Sequence, residues 1–237
     1  MKTNFLFRDD AYQQSVKSVV MAITPTGGMI VDQSVFYPTG GGQPGDKGVI
    51  TLQDGRSIAI TNTVYGENRE TIALVPEQGA ALPAIGETIT QSLDWPLRFI
   101  RMRVHTCLHL LTTVLPYPVT GGAIGDGDGR LDFDIPDAGL DKDSIEQELA
   151  RRIDTHADVT EEWITDDELL AKPDLVKTMS VKPPMGSGRV RLIRIAGLDL
   201  QPCGGTHVRN TSEIGKVLVT GIEKKGKQNR RVRIALA

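Results

Sequence analysis

The stretch DWPLRFIRMRVHTCLHLLTTVLP, residues 94–116, divides this chain into two parts of different character. Asp94 and the early Pro96 are helix-start signals, because an acidic side chain satisfies the free amides of a first turn and proline needs none there. Pro116 supplies the stop. Leu97, Ile100, Val104, Leu108, Leu111 and Leu115 recur at intervals of three and four, which predicts the single buried stripe of an amphipathic helix.

Before that helix, up to about residue 92, no helical period is found. Short apolar runs such as SVVMAI, MIVDQSVFY, KGVITL, SIAITNTVY and TIALV alternate with turn signals, predicting a compact all-β domain over 1–92. Its unusual feature is FYPTGGGQPGDKG, Phe36 to Gly48. The stretch reads either as a hairpin loop of tolerant backbone or as a backbone that passes close to a ligand or RNA at Gly41, Gly42 and Gln43. After the helix, over 93–237, the pattern is α+β. A second helix is expected from about Lys142 to His156, capped by Asp143 or Ser144, and a short third one behind a Thr165–Glu168 capping box. RLDFDI, RVRLIRI, EIGKVLVTGI and RRVRIAL read as strands. DGDGRLD begins like a calcium loop, but Arg130 and Leu131 stand where a ligand and a glycine are required, so a turn leading into a strand fits better.

The 237 residues are 39% hydrophobic and 24% charged, ordinary for a globular chain of two domains. No run is long enough for a membrane span, and MKTNFLFRDDAYQQ is not a signal peptide, so a cytoplasmic protein without membrane partners is expected. The formal net charge of −3 gives no global sign of nucleic-acid binding, and DNA is not expected as a partner; any such binding must rest on local patches.

Chemistry concentrates in two segments. His105 and His109 in HTCLH are four residues apart and share one helix face. QPCGGTHV places Cys203 and His207 either side of a flexible glycine loop. Together they supply the imidazole and thiolate donors that zinc takes, predicting one Zn2+ per chain that ties helix to loop. Thr106 occupies the position at which an H-E-x-x-H protease carries its glutamate, so that route to peptide hydrolysis is excluded. Cys107 lies on the other side of the helix from His105 and reads as a buried small hydrophobe, and His156 as a helix-terminal or surface residue.

With these motifs, the chain resembles the freestanding alanyl-tRNA editing proteins of the AlaX type, which are similar to the editing domain of alanyl-tRNA synthetase. The likeness rests on FYPTGGGQPGDKG, RMRVHTCLH at 101–109, DLQPCGGTHVRNTSEIG at 199–215 and the basic segment KKGKQNRRV, and it covers nearly the whole chain. It implies a β-barrel-like N-terminal domain followed by an α+β zinc-containing editing domain. It also implies hydrolysis, in trans, of Ser-tRNA(Ala) and in some members Gly-tRNA(Ala), with His105, His109, Cys203 and His207 as the zinc and catalytic site and the tRNA acceptor end as partner. Nucleotide binding enters only through the likeness to the synthetase, whose activation domain this chain is too short to contain.

The residues are consistent with that chemistry. An aminoacyl ester is activated, so a deacylase needs a positioned water and oxyanion stabilisation more than a covalent nucleophile. Zinc serves either to activate water, which requires an open ligand position and hence a loosely held ligand such as His207, or to hold the substrate in place. Arg98, Arg101, His105, His109 and Thr112 fall in one helical row, which places two guanidinium groups where 3′ phosphates arrive, or else on a solvated face. Lys224, Lys225, Lys227, Arg230, Arg231 and Arg233 form a basic run without an acid, suited to a hairpin-tip clamp on an RNA backbone. The competing class is a non-catalytic RNA-binding module with a structural zinc site.

Overall fold

The computed structural model describes residues 1–67, 69–135, 139–179 and 188–237. The chain separates into two compact units, Met1–Phe99 and Ile100–Ala237. Both α-helices and β-strands are present, and the first unit holds a closed six-stranded barrel.

In the first unit the strands are β1 (Asn4–Phe5), β2 (Ser15–Ile23), β3 (Met29–Val31), β4 (Gln33–Ser34), β5 (Gly48–Thr51), β6 (Ser57–Tyr65), β7 (Ile72–Pro76) and β8 (Thr88–Leu93). The barrel closes in the order β2-β3-β7-β6-β5-β8, while β1 and β4 pair in parallel outside it. Alternation explains the wall: along β6, Ile58 and Ile60 point inward, and a bulge after Ile60 resets the register so that Thr63 is again buried. Phe7, Val20, Met29, Phe36, Ile50, Leu74 and Ile89 complete the core, and closure leaves no barrel edge exposed for pairing.

The glycine-rich stretch is a tight turn on this barrel. Gly40 and Gln43 exchange backbone hydrogen bonds of 3.0 and 2.9 Å, and the two residues between them, Gly41 and Gly42, have φ of +57° and +83°. Positive φ at both central positions is the type I′ pattern, which L side chains resist. At Gly45 a Cβ would lie 2.1 Å from the Thr63 carbonyl oxygen, so close backbone approach fixes that glycine. Gly41 and Gly42 are exposed at the tip, but Gln43 is only 1% exposed and does not present its side chain outward as an RNA contact would.

The second sequence segment begins with α1 (Trp95–Val114), followed by β9 (Val119–Ile124), β10 (Asp128–Asp134), α2 (Lys142–Ile153), β11 (Val159–Thr165), α3 (Asp166–Leu170), β12 (Arg189–Ile195), β13 (Asp199–Pro202), β14 (Val217–Lys224) and β15 (Asn229–Leu236). Two antiparallel sheets result, β14-β15-β10-β9 and β11-β12-β13. The amide of Leu97 donates to Asp94 Oδ1 at 3.2 Å, as the start signal predicts. The stripe is a correction: from Arg101 to Thr112 every residue of α1 except Arg103 is buried, because this helix is enclosed on all sides and its polar residues find their partners within the protein. On α2, Ile145, Leu149 and Ile153 are buried as the spacing predicts and the helix packs on β14. Its cap, however, is Asp141, which accepts from Ser144 at 2.7 Å, and it ends at Ile153; His156, exposed with φ +50°, lies beyond it. The Thr165–Glu168 capping box forms as expected. The abandoned calcium motif is a turn, with Gly125 donating to the Asp128 carbonyl at the start of β10.

Candidate metal centre

The second unit brings together the helix pair and the glycine loop. α1 carries His105 and His109 one turn apart on one face. β13 runs directly into Cys203, and period-two alternation sets Asp199, Gln201 and Cys203 on one side of that extended segment. The loop that follows is pinned at several points. Arg191 on β12 donates to the carbonyl oxygens of Cys203 (3.1 Å) and Gly205 (2.8 Å), and its other end pairs with Glu161 at 2.5 Å. Beyond His207, the amides of Arg209 and Asn210 donate to Glu213 Oε1 at 2.9 and 3.0 Å.

One ligand-capable atom from each of His105, His109, Cys203 and His207 lies within 4.8 Å of all the others. Cys203 Sγ is 3.5 Å from His105 Nε2 and 3.3 Å from His207 Nε2. The imidazole centroids are 4.1 Å apart for His105–His207, 4.5 Å for His109–His207 and 5.2 Å for His105–His109. A tetrahedral zinc sets sulfur and nitrogen ligands about 3.6 Å apart and two nitrogens about 3.4 Å apart, from its usual bond lengths. The sulfur–nitrogen separations therefore match a shared ion, and the donor set is of the kind zinc prefers. The imidazoles are buried, whereas Pro202, Cys203 and Gly204 are half-buried, so the cluster borders solvent on the loop side. A Cβ at Gly204 would meet nothing within 4 Å.

Electrostatics follow from this packing. Burial opposes ionisation of Cys203, but the neighbouring His105 and His207 outweigh it and hold the thiol well below its usual range. Burial, and then the charge of His105, depress His207 well below the usual imidazole range. For His109 burial is outweighed by Asp199 and Cys203, which raise it to about 9. Asp199 itself, despite burial, is drawn down to about 2 by His109 and Lys177. Asp199 Oδ2 lies 3.3 Å from His109 Nδ1, although not aligned as a formed hydrogen bond, and the carboxylate also takes Lys177 Nζ and, at 2.7 Å, Gln201 Nε2. This arrangement turns Nε2 of His109 toward the cluster, as an outer carboxylate does for a metal-ligating imidazole. Cys107, fully buried, is pushed up to about 12 by desolvation and is a core thiol.

The structure places the expected RNA-facing residues differently. Arg98 is fully buried in the N-terminal unit, where it pairs with Asp46 and donates to the carbonyl oxygens of Ala11 (2.9 Å) and Val35 (2.7 Å). Arg101 is 2% exposed and pairs with Asp126 at 2.7 Å. Neither offers a solvent-facing guanidinium. The basic segment is a hairpin tip between β14 and β15, as read, and Lys224, Lys225 and Lys227 are exposed there. Its acids come from outside the run: Asp132 takes Arg231 at 2.7 Å, Glu223 takes Lys225 at 2.8 Å and Arg233 at 2.5 Å, and Arg230 bonds to backbone at Gly226 and Asn229. Lys224 and Lys227 have no carboxylate partner among the described residues.

Sequence reading missed Asp199, Lys177, Gln201, Arg191 and Thr106. Alternation through DLQPC was a usable signal for Asp199 and Gln201, whereas Lys177 and Arg191 reach the site only through tertiary packing.

The sequence comparisons agree with these features. Residues 190–233, which include the glycine loop, match the family model described as the threonyl and alanyl tRNA synthetase second additional domain. Over 97% of this chain and 97% of its own length, the alanyl-tRNA editing protein AlaX-M of Saccharolobus solfataricus is 30% identical. The AlaX-M protein of Methanosarcina acetivorans is 27% identical over 99% of both chains. The alanine–tRNA ligase of Pyrobaculum neutrophilum is 28% identical over 94% of this chain, which spans 26% of that enzyme. The chain belongs to the alanyl-tRNA editing protein family, and these two AlaX-M proteins match it over nearly the whole of both chains. Among the described residues, no helix is long and apolar enough to cross a membrane.

Proposed function

We propose that this protein is a cytoplasmic trans-editing deacylase, hydrolysing the ester of mischarged tRNA(Ala), with Ser-tRNA(Ala) as the main substrate and Gly-tRNA(Ala) as a second. The observation that carries the reading is the convergence of His105, His109, Cys203 and His207 in a chain related over its whole length to editing proteins. These four side chains would hold one zinc ion. When bound, zinc supplies a fixed positive charge and a rigid template beside the half-exposed edge of the loop.

The chain's own residues do the rest. Four protein donors fill a tetrahedral shell, and His207 is held at both ring nitrogens, 3.1 Å from Thr106 and 3.3 Å from Cys203. That speaks against His207 as a loosely held ligand and favours a positioning role for the centre over activation of water at an open position. The half-buried Pro202–Gly204 edge is where the aminoacyl ester docks, so the loop orients the carbonyl toward an incoming water, and an ion held by the four side chains would supply fixed charge beside it. Lys224 and Lys227, with Lys225, Arg230 and Arg231 behind them, and the exposed Gly41–Gly42 turn are the contacts proposed for the tRNA backbone.

The test is a deacylation panel of tRNA(Ala) charged with serine, glycine or alanine, with and without a chelator. Serine release is expected to be fastest, alanine to be spared, and chelation to remove most of the rate. Absence of turnover on every mischarged substrate would leave the RNA-binding module as the correct reading.

A further inference from the structure

Thr106 is the one fully buried hydroxyl of α1 beside a ligand, and three groups meet it. Its Oγ1 lies 2.9 Å from the Met102 carbonyl oxygen, 3.1 Å from His207 Nδ1 and 3.2 Å from the amide of Val208. A hydroxyl has one proton and two lone pairs. With that proton given to Met102, Thr106 can accept twice, from Val208 N–H and from a proton on His207 Nδ1. His207 Nε2, on the other side of the ring, faces Cys203 Sγ at 3.3 Å. An imidazole that ligates through Nε2 carries its proton on Nδ1 and needs an acceptor there. Thr106 supplies it in a place from which solvent is excluded, His207 being 5% exposed.

We propose that Thr106 is a positioning residue that fixes His207 in the Nδ1–H tautomer and aims Nε2 at the metal, while its bond from Val208 ties the glycine loop to α1. The inference rests on the zinc-site reading given above. The residue at the position of the protease glutamate thus acts here as an acceptor for a ligand. Helix α1 provides two ligands and also the orienting group for a third that is about a hundred residues away.

Thr106→Val keeps the shape and removes the hydroxyl; Thr106→Ser keeps the hydroxyl. Zinc affinity, measured by competition with a chromophoric chelator, is expected to fall about 10- to 100-fold in Thr106→Val and to stay near wild type in Thr106→Ser. Nitrogen-15 NMR of zinc-loaded wild-type protein is expected to show a protonated, slowly exchanging Nδ1 on His207, a signature that needs no variant to fold. Equal affinity of wild type and Thr106→Val, equal loss in Thr106→Ser and Thr106→Val, or a His207 protonated on Nε2, overturns the inference alone. Wild-type protein that takes up no zinc overturns the metal-site reading and the inference together.

Discussion

Cys203→Ala is expected to weaken zinc binding by more than about 100-fold, beyond what loss of an outer-shell partner costs, and to remove most deacylation while the protein stays folded. The thiolate is the only sulfur in the donor set. Its loss leaves three neutral imidazole donors and removes the one anionic ligand of the set, the strongest single attraction for a dication. The loop does not depend on the ion for its path. Arg191 holds the Cys203 and Gly205 carbonyls, Thr106 accepts from Val208, and Glu213 accepts from the amides of Arg209 and Asn210. Circular dichroism and a cooperative unfolding transition should therefore survive the substitution. If the metal were purely structural, Cys203→Ala would instead melt the second unit, and a lost transition at ordinary temperature would decide for that view.

Arg98→Ala is expected to destabilise the protein by about 3–5 kcal/mol, the usual cost of leaving one member of a buried ion pair alone. Arg98 and Asp46 are 0% and 2% exposed at the side chain, so the carboxylate left behind is cut off from bulk solvent. Asp46 is engaged further, accepting the Tyr37 amide at 2.5 Å, and its carbonyl accepts the Thr63 hydroxyl at 2.9 Å. The pair thus anchors both ends of the stretch that bears the Gly41–Gly42 turn to the barrel wall. Replacing both partners, Arg98→Met with Asp46→Leu, should recover part of the loss, since an apolar pair pays no desolvation, though the Tyr37 amide is left unmet. Chemical denaturation measures both; a single-substitution effect under about 1 kcal/mol would contradict a desolvated pair, being the range of exposed ones.

The sequence patterns that were legible are those with a local cause. Helix α1 follows from Asp94, Pro96 and the leucine spacing, and the third helix from its Thr165–Glu168 box, because caps and periodicity act within a few residues. The four metal-site residues were legible because their types are scarce: three of four histidines and one of two cysteines fall in two short motifs. What was illegible depends on neighbours brought from afar. Arg98 and Arg101 occupy the same helical row as the histidines, yet each is matched by a carboxylate from another segment, Asp46 and Asp126, so charge in the row did not mean charge at the surface. The basic run at the β14–β15 tip is likewise neutralised in part by Asp132, on β10, and by Glu223 just ahead of it. β11 escaped reading because two adjacent glutamates, exposed Glu161 and half-buried Glu162, interrupt the apolar alternation of VTEEWIT, and their partners Arg191 and Arg194 lie on β12.

The central claim is that one zinc ion is held jointly by the α1 imidazole pair and the Cys203–His207 loop. Elemental analysis of the purified full chain tests it most directly: the account predicts close to one zinc per chain in wild-type protein. Protein that is folded and carries no transition metal, even after incubation with zinc and removal of the excess, would contradict it.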